Sequence, residues 1–225
     1  MRFSSIATHE LVAGSPDALD ARSRRQLGVT CTVELLWIPL GAGEHVVRIS
    51  GRVYEALAAL VARRPACDLY HSALIVTVPE GRYVIEMTPS IDEHGDRRGV
   101  VADGAVGSAW LGKRRIFRYE IRRWLDGVIP DAASAKVTTS IGLEDLEAQR
   151  LLELVASVPT PVWGRDELGA GEMWNSNSVT SWILHRSGID TTPLAPPDGG
   201  RAPGWDAGIE VAARTDTERP VSGCH

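Results

Sequence analysis

The sequence has 225 residues, of which 44% are hydrophobic and 24% are charged, a composition typical of a globular protein with a hydrophobic core. Its net charge of −5 gives no electrostatic reason to bind nucleic acid, so we predict no nucleic-acid partner. No apolar run approaches the roughly 20 residues that span a bilayer. The N-terminal residues also lack the apolar region of a secretory signal, and the sequence therefore predicts a cytoplasmic protein without a membrane partner.

The three cysteines, Cys31, Cys67 and Cys224, are widely spaced and include no CxxC pair. Disulfide frameworks and zinc sites use paired or closely spaced thiols. We therefore predict reduced, structural cysteines. The sequence also has no metal-spaced set of His, Asp and Glu and no phosphate-binding glycine loop, so we predict neither a metal nor another cofactor.

The first half of the chain predicts three strands and one helix. β-branched and aromatic residues at 29–40 indicate a strand, and apolar residues at helical spacing indicate a helix over 52–63. The segments 69–78 and 83–87 predict two strands of a hairpin, joined by a Pro-Glu-Gly turn. Residues 88–112 are predicted to form an irregular, glycine-containing loop.

Charged and apolar residues alternate over 115–124, which predicts a strand with one polar face. Its arginines belong to a basic cluster within an acidic protein. Such a cluster is either a solvated face balanced by nearby acids or a landing site for an anionic group. The cluster comprises Lys113, Arg114, Arg115, Arg118, Arg122 and Arg123.

Two helices and an extended tail are predicted next. A leucine-rich segment at 143–158 indicates the first helix, and two prolines follow it. Apolar residues at helical spacing indicate the second helix over 176–187, because a glycine that can end a helix comes directly after it. From Thr191 onward proline and glycine predict an extended chain. We therefore expect one domain over 1–210 and a disordered tail over 211–225.

His71 and Ser176 are the residues that best suggest chemistry. His71 lies inside a predicted strand, where a histidine is either a core residue bonded to a backbone carbonyl or a base at the edge of a cleft. Ser176 belongs to the run Asn-Ser-Asn-Ser at 175–178, whose residues are all good helix caps, although one cap needs one side chain. Because a helix N-terminus offers amides and partial positive charge, a hydroxyl there beside a histidine has the parts for acyl transfer.

Glu86 could complete this set. It lies between two apolar residues on the returning strand of the hairpin, where a carboxylate is expected to be paired or to face a cleft. From the adjacent strand it could orient the imidazole of His71. We expect Trp174 to line a substrate groove, with Asn175 and Asn177 as further substrate-binding residues.

These segments resemble the circularly permuted, papain-like hydrolases related to the NlpC peptidases, which include YiiX-type amidases and relatives of lecithin:retinol acyltransferase. The matching segments are YHSALIV, YVIEMTP and MWNSNSVTSWIL, within about residues 69–188. The resemblance implies an α+β fold in which an antiparallel sheet packs against a nucleophile-bearing helix, in permuted order. It also implies His71 as general base, Glu86 as the third polar residue and Ser176 at the nucleophile position.

The chain departs from that group at the nucleophile, where the group has cysteine and this chain has Ser176. A thiol beside a histidine ionises at neutral pH, whereas a serine hydroxyl must lose its proton during attack. A working serine hydrolase, a relative that has lost catalysis and an engineered Cys-to-Ser change all fit the sequence.

Two functions therefore stay open. One is an amide or ester hydrolase or acyltransferase that uses Ser176, His71 and Glu86 on a small-molecule or peptide substrate. The other is a catalytically inactive cleft protein that binds a peptide or a small acyl ligand. A purely structural or partner-binding domain is a third class, but it leaves the histidine, the glutamate and the polar run without a use.

Overall fold

The computed structural model describes residues 30–40, 67–90, 99–129 and 132–217. Within these ranges the protein has an α+β fold with one six-stranded antiparallel sheet and three α-helices. The helix predicted over 52–63 lies outside the described residues, as do Cys224 and the last eight residues of the predicted tail.

The sheet consists of β1 (Cys31–Pro39), β2 (Tyr70–Val78), β3 (Gly81–Pro89), β4 (Val100–Ala105), β5 (Arg118–Leu125) and β6 (Val137–Leu143). These strands lie in the order β4-β5-β3-β2-β1-β6, and each neighbouring pair is antiparallel. The predicted first strand and the predicted hairpin are confirmed as β1, β2 and β3. The predicted strand over 115–124 is confirmed as β5, although its first three residues form a 3-10 turn.

Two edge strands differ from the sequence-based expectation. β4 lies within the segment that was expected to be an irregular loop, and β6 lies where no element was expected. Both are partly exposed and contain glycine, so their local sequence only weakly favours a strand. β4 is stabilised by backbone hydrogen bonds to β5, and β6 by backbone hydrogen bonds to β1, although local propensity for a strand is weak in both.

The helices are α1 (Asp145–Leu154), α2 (Ser176–Arg186) and α3 (Trp205–Thr217). A reciprocal capping box between Glu144 and Glu147 starts α1. Both predicted helices are confirmed as α1 and α2, with ends that shift by a few residues. None of the helices in the described ranges is both long and apolar enough to cross a membrane.

Helix α3 overturns the prediction of an extended chain with a disordered tail beginning at residue 211. The helix continues to Thr217 and buries Ala207, Val211 and Ala212. It packs closely on α2, because an added side chain at Gly208 would meet the backbone oxygen of Ser178. Tertiary packing therefore stabilises a helix directly after a proline- and glycine-rich segment that favours an extended chain.

Alternation along the strands divides the side chains of the sheet between two faces. One face, which we call the helical face, packs against all three helices and carries residues such as Trp37, Tyr70 and Ile85. The other, which we call the second face, carries a smaller apolar cluster. That cluster consists of Leu36, Ile38, Ala73, Ile75, Val84 and Ile129.

Candidate functional site

The polar run at the start of α2 mostly serves the helix itself. The Asn175 side chain accepts hydrogen bonds from the backbone amides of Asn177 and Ser178, at 2.8 and 3.4 Å. In return, the Ser178 hydroxyl accepts a hydrogen bond from the Asn175 amide at 3.1 Å. Asn175 and Ser178 thus form a capping box, which supports the structural interpretation of these two residues.

Asn177 fixes α2 to the sheet. Its Oδ1 accepts a hydrogen bond from the Ser72 hydroxyl at 2.9 Å. Its Nδ2 donates to the carbonyl oxygens of Tyr70 and Pro203, at 3.0 and 2.9 Å. The side chain is buried and all of these partners belong to the protein, so the structure gives Asn177 a structural role in place of the predicted contact with substrate.

Trp174 is also buried, with 2% of its surface exposed. It belongs to the core cluster of the helical face, and its Nε1 has no hydrogen-bond partner in the described part of the chain. The prediction that Trp174 lines a groove is therefore wrong. An aromatic residue before a helix start suits the core equally well, and sequence spacing does not distinguish the two positions.

Ser176 is the member of the polar run that neither caps the helix nor bridges to another element. It is the first residue of α2 and is 8% exposed. Among the described residues, no group forms a hydrogen bond with its hydroxyl. The position at a helix N-terminus agrees with the sequence-based expectation.

The expected pairing of His71 with Ser176 is not formed. Tyr70 and Ser72 of β2 point to the helical face, and Ser72 reaches α2 through Asn177. His71 lies between them and opposite Ile38, a residue of the second face. The imidazole and the Ser176 hydroxyl therefore lie on opposite sides of the sheet, because a shift of one residue along a strand reverses the face.

Glu86 shares the second face with His71, because its neighbours Ile85 and Met87 belong to the core of the helical face. Its cross-strand partner is Arg122. Burial raises the pKa of the Glu86 carboxyl above its ordinary value, and the nearby Arg122 partly opposes that rise. Two members of the predicted triad thus share a face, and Ser176 is separated from both.

The second face also carries an ion pair that sequence analysis missed. Arg122 lies 3.0 Å from the buried Glu120 carboxylate, two residues away on the same strand. The Ser90 hydroxyl donates to the other oxygen of Glu120 at 2.9 Å. Alternation in β5 indicated this polar face, but it could not show that the carboxylate would be buried.

A cleft that the sequence analysis did not identify lies beside α2. Its volume is about 780 Å³, and it lies between the end of α2, the segment 188–202 and the first turns of α3. The large apolar side chains that line it belong to Ile189, Leu194, Trp205 and Ile209. The charged and polar ones include Glu172, His185, Asp190, Thr192, Arg201 and Asp206.

The polar groups of this cleft are only partly neutralised. Glu172 accepts a hydrogen bond from the Gly204 amide at 2.7 Å, and its other oxygen lies 3.9 Å from Arg201. The backbone amide of Thr192 donates to the Asp190 carboxylate at 2.9 Å, which lowers the pKa of Asp190. The lining of the cleft therefore contains three carboxylates and one arginine, and it favours cationic over anionic groups.

Cys31 is buried, and its thiol donates to Asp145 Oδ1 at 3.1 Å, which ties β1 to the start of α1. In the part of the chain that the structure describes, no group of three or more His, Cys, Asp and Glu side chains could hold a metal ion. Comparison of the chain with protein-family models, with curated proteins and with solved structures gives no match.

Proposed function

We propose that this chain is a catalytically inactive relative of the permuted papain-like hydrolases and that it binds a peptide. The observation that carries the proposal is the cleft beside α2, which has an apolar floor and a charged rim. Ligand sites in proteins are typically concave and apolar, with a few polar groups that orient the ligand. The separation of His71 from Ser176 supports binding rather than catalysis.

The chemistry of the cleft favours a peptide that carries an apolar side chain next to a basic one. Trp205 and Ile209 offer an apolar surface for the first of these side chains. Asp206 and Asp190 supply negative charge for the second. Arg201 could bind a carboxylate of the same peptide, because guanidinium groups bind carboxylates in a bidentate manner.

Calorimetric titration with short peptides tests this proposal. We expect peptides that pair leucine or phenylalanine with lysine to bind, and counterparts with glutamate in place of lysine to bind more weakly. Ile209→Asp should weaken binding at least tenfold, because it places a charge on the apolar floor. Asp206→Asn should weaken binding of the lysine peptides alone.

Ile116→Asp is the matched control, since Ile116 is exposed and lies outside the cleft. Thermal unfolding of each variant separates loss of binding from loss of fold. If no peptide binds, or if the Ile209 variant binds as well as the Ile116 variant, the proposal is wrong.

A serine hydrolase is the second candidate, favoured by the Ser176 hydroxyl. That hydroxyl lies at the positive end of α2 and has no hydrogen bond among the described residues. It could attack an amide or ester while helix amides bind the oxyanion, but a group other than His71 would have to accept its proton.

Labelling with a fluorophosphonate distinguishes the two candidates. An inactive cleft protein is expected to stay unlabelled. Labelling that Ser176→Ala abolishes and His71→Ala preserves would favour a hydrolase with a different base. Loss of labelling in both variants would contradict the separation of these residues by the sheet.

A further inference from the structure

The connection between β4 and β5 exposes large apolar side chains next to several cations. Residues 106–117 connect the edge strand β4 to its neighbour β5. We call this segment the basic loop. Trp110 is 72% exposed and Ile116 is 67% exposed. Single exposed apolar side chains are common, but several of them in one short segment can mark an interaction surface.

Several contacts fix the backbone of the basic loop. The Val106 amide donates to the Phe117 carbonyl at 2.8 Å and so closes its base. The Arg118 guanidinium donates to the Gly112 carbonyl at 3.0 Å. Gly112 also packs so closely on Ala105 that an added Cβ would lie 2.5 Å from the Ala105 side chain.

The charges of the basic cluster divide into two groups. Arg118 lies 2.7 Å from Asp103, Arg122 pairs with Glu120, and Arg123 donates to a backbone carbonyl of α1. These three arginines are bound within the protein. Arg118 and Arg122 are thus balanced by nearby acids, as the first of the two interpretations of the cluster expects.

The other half of the cluster, Lys113, Arg114 and Arg115, is exposed to solvent. In the described ranges these three side chains form no ion pair or hydrogen bond. A protein with a net charge of −5 thus places next to Trp110 and Ile116 three cations that have no ion-pair partner among the described residues.

We propose that the basic loop docks this protein on the surface of an anionic lipid bilayer. Trp110 and Ile116 enter the boundary between headgroups and acyl chains, where tryptophan is favoured. Lys113, Arg114 and Arg115 contact the anionic headgroups. Apolar insertion combined with cationic attraction supplies the two contributions that stable surface attachment requires.

Lipid fits the loop better than nucleic acid. A single-strand binding surface stacks successive bases on aromatic rings, but Trp110 is the one exposed aromatic residue of the basic loop, since Phe117 is half-buried and Ile116 is aliphatic. The proposal concerns attachment to a surface. It therefore revises the sequence-based expectation of no membrane partner without requiring a helix that spans a bilayer.

Flotation with lipid vesicles tests this docking with the full chain. We expect binding to vesicles of equal parts phosphatidylcholine and phosphatidylserine, weakened by added salt, and little binding to phosphatidylcholine alone. Trp110→Ala should reduce binding several-fold. Replacing Lys113, Arg114 and Arg115 together by alanine should reduce it about a hundredfold, given what each cation contributes near an anionic surface.

The matched controls lie on α1, where Leu146 is 78% exposed and Arg150 is also exposed. Leu146→Ala and Arg150→Ala should bind the mixed vesicles as the unaltered chain does. The proposal is overturned if the unaltered chain does not bind the mixed vesicles, or if the basic-loop variants bind them as well as the controls do. Binding of a single-stranded RNA oligonucleotide without binding of vesicles would overturn it in favour of nucleic acid.

Discussion

Two adjacent residues at the start of α2 differ sharply in how they are bound. Asn177 makes hydrogen bonds to a hydroxyl and two carbonyl oxygens of neighbouring segments, whereas the Ser176 hydroxyl has no partner in the described part of the chain. Removing one partner from a buried hydrogen bond leaves the other group unsatisfied, which costs more than the bond itself contributes. The stability of this helix start should therefore depend on Asn177 and hardly on Ser176.

Asn177→Ala is expected to lower the free energy of unfolding by about 2–4 kcal/mol, because it removes the donor to the Tyr70 carbonyl and the acceptor of the Ser72 hydroxyl. The Pro203 carbonyl keeps a second donor, the Asn175 side chain. Ser176→Ala, one residue away, should change it by less than about 0.5 kcal/mol. Urea denaturation followed by circular dichroism measures both. If both variants lost the same free energy of unfolding, the Ser176 hydroxyl would have a structural partner after all.

Glu86 should make the protein less stable as the pH rises. Burial raises the pKa of Glu86 above its ordinary value of 4.5, and Arg122 opposes this rise without cancelling it. The folded protein therefore holds the proton more tightly than the unfolded chain, so the contribution of Glu86 to stability is present at low pH. That contribution is lost as pH rises from the ordinary pKa through the raised one.

Glu86→Gln keeps the shape of the side chain and removes this titration. We expect the variant to be more stable than the unaltered protein at neutral pH, and the difference to shrink below pH 4.5. Denaturant unfolding across this pH range is the measurement. A variant less stable than the unaltered protein at neutral pH would show that attraction to Arg122 outweighs the effect of burial.

At the scale of elements, the contact between α2 and α3 depends on small residues. Gly208 of α3 lies against Ser178 and Ser181 of α2, and the Ser181 hydroxyl donates to the Trp205 carbonyl at 2.7 Å. The two helices approach each other closely because no side chain separates them at Gly208. This approach also forms one wall of the proposed peptide cleft.

Gly208→Ala is expected to destabilise the protein by about 1–3 kcal/mol, since the new Cβ would collide with the backbone oxygen of Ser178. Alanine favours a helix over glycine by about 1 kcal/mol, so packing and propensity act in opposite directions here. Gly142→Ala in β6 is the control, because a Cβ added there would meet no atom of the described chain within 4 Å. Thermal unfolding that shifts equally for both would indicate that helix packing tolerates the added methyl.

The same elements show how far the sequence predicts the fold. Strong apolar runs and clear periodicity predicted β1, β2, β3, β5, α1 and α2. The elements that were missed, α3, β4 and β6, each contain glycine within the element and form mainly through contact with a partner. Local propensity carries little information about such contacts, which arise only when distant segments meet.

At the scale of the whole molecule, the sheet separates groups that the sequence alone suggested would meet. The expectation that β2 and α2 lie together holds, since Ser72 and Asn177 bond across them. The residue of β2 that faces the helix, however, is Ser72 and not His71. Sequence pattern indicates which elements pack, but the face that a histidine occupies depends on a register that can differ by one residue.

Helix α3 also joins the end of the described chain to strand β1 of the sheet. The ring of Trp205 at its start lies 4.8 Å from the ring of Trp37 in β1, and both side chains are buried. If all helices and strands share one core, loss of this contact should destabilise the whole protein rather than α3 alone.

Trp205→Ala is therefore expected to lower the free energy of unfolding by about 3–5 kcal/mol, because it leaves a large cavity beside Trp37. Trp110→Ala removes the same side chain from a position that is 72% exposed, and its effect should stay within about 0.5 kcal/mol. Denaturation followed in parallel by far-ultraviolet and near-ultraviolet circular dichroism should give a single coincident transition, moved to lower denaturant in the Trp205 variant. A separate early transition that leaves the sheet intact would instead show that α3 unfolds independently. The residues of α3 that line the proposed cleft would then be lost from it while the rest of the fold remained.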